Sequence, residues 1–164
     1  MMVFGIGSNA FGATTQPLTA SFNETVPAAP YRSDGHSNVP NPCDPDAFYC
    51  GTGSVSGFGA ATDNIFFLDY VPTSRSCGDA IMDRVIALES GSLTLHESWV
   101  ICSPGNSPNV PGTFKSWGNP FSYTGTFEIS DSSGIFEGAT GSGTSSGSSA
   151  GAQAHSQVSG QITL

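Results

Sequence analysis

The stretch AIMDRVIALESGSLTLHESWVIC, residues 80–102, decides the fold. Two runs rich in large apolar residues flank Ser90-Gly91, a dipeptide suited to a tight chain reversal. The second run alternates strictly. Leu93, Leu95, Glu97, Trp99 and Ile101 share one face, while Thr94, His96, Ser98 and Val100 share the other. Val85 and Ile86 in the first run are β-branched and favour strand over helix. The spacing therefore predicts an antiparallel hairpin.

Outward from this hairpin the same pattern recurs. Strands are expected at 16–26, 48–60, 65–71 (IFFLDYV) and 121–129 (FSYTGTFEI), then a turn at 130–134, a strand at 135–143 and a closing strand in QVSGQITL. No run of ten or more residues shows a helical apolar period. Seven or eight short strands separated by turn signals predict an all-β fold, a single antiparallel barrel of about eight strands, with a closed β-sandwich as the alternative. Residues 16–164 form this one domain. It carries a proline-rich loop at 27–47 (Pro27, Pro30, Pro40, Pro42, Pro45), where missing amide donors exclude sheet interior. The apolar, small-residue segment 1–15 reads as a signal-peptide remnant or an arm.

Composition narrows the function classes. The chain has 164 residues, 10% of them charged, with 13 Asp and Glu against 4 Lys and Arg. A formal charge of -9 leaves no basic footprint for nucleic acid and disfavours anionic membrane surfaces. No run of 18 or more apolar residues exists to span a bilayer as a helix. Cys43, Cys50, Cys77 and Cys102 contain no Cys-x-x-Cys pair, and His36, His96 and His155 lack zinc spacing. Four cysteines in such a chain read as two disulfides made in an oxidising compartment, which implies a secreted or cell-surface protein. A turn at Ser90-Gly91 puts Cys77 within one bulge of direct opposition to Cys102, leaving Cys43 to pair with Cys50. By the chain-entropy model these bridges contribute about 3.5 and 2.5 kcal/mol.

The segment FSYTGTFEISDSSGIFEGATGSGT (121–144), with Gly134, Phe136, Gly138, Ala139, Gly141 and Gly143, resembles the late strands of dirigent-type and allene oxide cyclase-type barrels. The glycine-thinned CGTGSVSGFGAAT (50–62) is similar to a small-residue strand of their bacterial secreted relatives. The resemblance implies an eight-stranded barrel with an apolar lumen, often trimeric, that guides radical coupling or cyclises reactive polyenes and epoxides. It transfers no catalytic residue to a position of this chain.

Chemistry must then come from polar residues on apolar faces. Glu97 lies among Leu93, Leu95, Trp99 and Ile101, and a carboxyl so placed is either a general acid or the partner of a cation such as Arg84. Asp69 lies in IFFLDYV on the face expected to hold Ile65, Phe67 and Val71, with the same two readings. Trp99, Phe67 and Tyr123 are the candidates for lining a ligand site. His96 falls on the polar face opposite Glu97, so the two form no dyad. Asp34, Asp44 and Asp46 are oxygen donors of the kind calcium takes, but Asp-x-Asp alone is a weak signature. No metal site and no cofactor is expected. The reading is a secreted barrel that binds a small apolar or aromatic ligand in its lumen and steers a cyclisation or coupling. The alternative is a non-catalytic secreted protein that binds a surface or glycan or self-assembles.

Overall fold

The computed structural model describes residues 12–25, 43–103, 120–150 and 153–164. Period-two alternation governs most of the sheet. The strands are β1 (Thr15–Thr25), β2 (Tyr49–Val55), β3 (Gly59–Pro72), β4 (Cys77–Leu88), β5 (Gly91–Cys102), β6 (Phe121–Gly134), β7 (Thr140–Ala150) and β8 (Gln153–Thr163). Each pairs antiparallel with its sequence neighbour, and β8 pairs with β1, so the sheet closes into a barrel. Backbone bonds between Thr14 and Leu164, 3.0 and 3.1 Å, extend this seam by one residue. The sandwich alternative is thereby set aside.

The central hairpin holds with one correction. Leu88 faces Gly91, so the turn is Glu89-Ser90, one residue earlier than Ser90-Gly91. Cys77 and Cys102 are then directly opposed without a bulge, and they are bonded, as are Cys43 and Cys50. A second correction concerns 130–143. The sheet runs through Gly134, and the reversal comes at 135–138. Gly134 (φ +65°) and Gly138 (φ +79°) hold left-handed conformations there, which explains two glycines of the rhythm in 121–144. Phe136 in this turn is fully buried and meets Phe58 of the β2–β3 turn edge-on, with centroids 4.9 Å apart. Together they cap one end of the barrel.

Inward residues form two apolar clusters. The one at the capped end is built from Leu18, Phe22, Ile86, Leu93, Leu95, Phe127, Val158, Ile162 and neighbours. The other holds Tyr49, Ile65, Met82, Trp99, Ile101, Phe121 and Tyr123. Outward residues of β7, β8 and β1 are Ser, Thr, Asn and Gln almost throughout, with His155 the single titratable side chain among them. Apolar in and polar out is the reverse of a membrane-spanning barrel. No helix among the described residues is long and apolar enough to cross a membrane. The segments 1–11 and 26–42, which include most of the expected N-terminal segment and proline-rich loop, lie outside the described residues.

Candidate functional site

Between the two clusters the lumen carries a layer of buried polar side chains drawn from seven strands. Arg84 on β4 is its centre. Its Nε donates to Glu97 Oε1 on β5 at 2.9 Å, and its Nη2 donates to Tyr123 Oη on β6 at 2.9 Å. Its Nη1 donates to Glu24 Oε1 on β1 (2.8 Å), Asp63 Oδ2 on β3 (2.5 Å) and Ser156 Oγ on β8 (2.9 Å). The second oxygen of Glu97 accepts from Trp99 Nε1 and, at 3.0 Å, from Ser145 Oγ on β7. Ser156 Oγ in turn donates to Glu24. Between β1 and β3 at this level, β2 has a glycine. Gly51 lies there, facing Glu24 on one side and Asp63 on the other, so the two carboxyl groups meet across it.

Burial decides the electrostatics. Arg84 and Glu97 are 0% exposed, Asp63 1% and Glu24 4%. Burial lowers the affinity of Arg84 for its proton, but Tyr123, Glu97, Glu24 and Asp63 outweigh it and hold the guanidinium well above its ordinary pKa. Asp63 is pushed up to about 8, first by burial and then by Glu24, against the pull of Arg84. Its Oδ1 finds no hydrogen-bond donor among the described residues. Burial also raises the Tyr123 phenol, which stays neutral. Trp99 and Tyr123 stack with centroids 3.6 Å apart, and Arg84 lies about 6.0 Å from the Trp99 ring.

No family model matches this chain, and no curated protein or solved structure matches it.

The structure gathers three of the five sequence candidates into one place. Glu97 is paired with Arg84, the second of the two readings weighed for it, and both its oxygens are occupied. Trp99 and Tyr123 line the same layer as packed, buried rings. Phe67, partly buried, lies farther along, toward the end opposite Phe58 and Phe136, near Phe48 and Tyr70. Asp69 is elsewhere. A bulge between Phe67 and Asp69 leaves Leu68 unpaired and reverses the faces beyond it. Tyr70 therefore turns inward against Gly78, while Asp69 and Val71 are exposed. His96 lies on the outer face as expected and contacts Asp83 at 2.8 Å.

Sequence reading missed Glu24, Asp63, Ser145 and Ser156. Starting β3 at residue 65 left Asp63 outside the strand, although Ala61, Asp63 and Ile65 continue one inward row. Glu24 ends the inward row Leu18, Ala20, Phe22, next to the proline-rich segment. Ser145 belongs to Gly143-Thr144-Ser145-Ser146-Gly147, which matches the letters of a hydrolase nucleophile elbow. It lies in mid-strand, with no strand-to-helix turn, and its hydroxyl is committed to Glu97. Of the aspartates considered for calcium, Asp34 lies outside the described residues. Asp44 Oδ1 accepts from the Asp46 amide in a local turn at 2.9 Å.

Proposed function

We propose that the protein is a secreted barrel that takes a small aromatic or apolar molecule at the end opposite Phe58 and Phe136 and steers a cyclisation or coupling of it by shape and water exclusion. The observation that carries this reading is a set of half-buried rings above the charged layer. Phe48, Phe67 and Tyr70 pack on the buried cluster of Tyr49, Phe121, Trp99 and Tyr123 yet keep part of their surface in solvent. Such rings offer planar apolar contact at little conformational cost. Two disulfides fit an oxidising compartment, and the closed eight-stranded shape is the one the dirigent-type resemblance implies.

The test is a ligand panel of planar phenols and polyenes, read by thermal melting and by indole fluorescence in a Trp117→Phe background. Binding should quench Trp99 and raise the melting temperature. Phe67→Ala and Phe48→Ala should each weaken binding by roughly tenfold, equal to about 1.4 kcal/mol. Absence of both signals across the panel would refute the reading. One observation favours the rival, a non-catalytic secreted barrel: the capped half of the lumen is filled by Leu18, Phe22, Phe127, Phe136 and Ile162. Under that rival the ring substitutions change stability alone.

A further inference from the structure

The layer around Arg84 holds more acid than base. Three carboxyl groups, Glu24, Asp63 and Glu97, surround one guanidinium, and none of the four is more than 4% exposed. If all were ionised, two negative charges would remain uncompensated inside the barrel, an arrangement that a low-dielectric interior opposes strongly.

The geometry says where relief comes. Glu97 is satisfied as an anion, since Arg84, Trp99 and Ser145 supply donors to both oxygens. Glu24 takes Arg84 and Ser156 on one oxygen, whereas Asp63 is left with an oxygen that no donor among the described residues reaches. Both draw on the same Nη1 of Arg84, and they face each other over Gly51. The other groups facing them cannot take up the excess. Tyr49 on β2 and Tyr123 on β6 are phenols whose ionisation burial opposes, Ser145 and Ser156 do not titrate, and Arg84 keeps its charge.

We propose that the folded barrel carries one structural proton, shared by Glu24 and Asp63 beneath Arg84, and that releasing it at alkaline pH loosens the lumen. The elevation of Asp63 to about 8, with burial as its leading cause, agrees with this assignment. The unfolded chain would give up the same proton near the ordinary carboxylate pKa of about 4. The native state therefore binds one proton more than the unfolded state between about pH 4 and pH 8. The unfolding constant should rise about tenfold per pH unit across that window and level off above it.

Infrared spectroscopy of the intact chain tests the proposal. At pH 7 the folded wild type should show a protonated-carboxyl C=O band, separate from the carboxylate bands, that disappears with a midpoint near pH 8. Asp63→Asn should lack the band, and its unfolding constant should lose the pH slope. If Asp63→Asn does not fold, the wild-type infrared titration decides alone. No protonated carboxyl at pH 7, or a band that persists in both Asp63→Asn and Glu24→Gln, overturns the proposal. So does an unfolding constant that stays level from pH 5 to pH 8.

Discussion

Replacing Arg84 by Leu would strip three buried carboxyl groups of the cation they face, and truncating one partner of a buried ion pair costs more than the pair contributes. Arg84→Leu should lower stability by at least about 3–5 kcal/mol, read from the urea midpoint. Glu97→Gln tests the same layer from the other side. Its amide can present one acceptor oxygen, so it cannot satisfy Arg84 on one side and Trp99 with Ser145 on the other. A loss of about 3 kcal/mol is expected, whereas a general acid idle in the folded state would tolerate the change. Glu97 was legible in the sequence because it interrupts an apolar row within a well-marked strand. Arg84 was legible as its partner. Asp63 was hidden by a strand boundary, and Asp69 was misplaced because a one-residue bulge leaves no signature in residue type.

Strands show how a narrow barrel accommodates large rings. Phe127 on β6 is 2% exposed, and its ring lies over Gly143 on β7 and Gly160 on β8. A Cβ at Gly143 would come within 2.7 Å of the Phe127 ring and 2.3 Å of the Ser159 carbonyl oxygen. Gly143→Ala should therefore cost about 1–3 kcal/mol by overpacking, and Phe127→Ala about 3–5 kcal/mol by leaving a cavity. Melts of the two single variants and the double variant should show coupling, with the double less destabilised than the sum. Alternation in 93–101 and 121–129 was plain enough to give both strands and their inward faces. The glycine- and serine-rich strands β7 and β8 were harder to read. Their inward positions are mostly Gly, Ser and Ala, residues that carry little apolar contrast against an outward row of Ser and Thr. Their pairing becomes clear only when the rings that fill their inner surface are known.

At the scale of the molecule, closure brings the first and last strands together along eleven paired positions from Thr15↔Thr163 to Thr25↔Gln153. A circular permutant follows from this. Joining Leu164 to Thr14 by a short linker and opening the chain at Glu89-Ser90 keeps every strand pair, although the β4–β5 link then rests on Cys77–Cys102 and the ladder alone. The permutant should fold with a melting temperature within several degrees of the parent, and reduction should destabilise it more than it destabilises the parent. An unfolded oxidised permutant would show that the β4–β5 turn is needed to start the sheet. The seam also sets an order of events during synthesis. Thr15 and Thr163, whose hydroxyls bond at 2.7 Å, are 148 residues apart, so on a ribosome working at about 5–20 residues per second β1 emerges on the order of 10 s before its partner. Throughout that interval β1 has one unpaired edge open to other chains. Its alternating row of Thr, Ser and Asn on one face, with Pro17 near its start, is what a strand needs if it must wait in solution without aggregating.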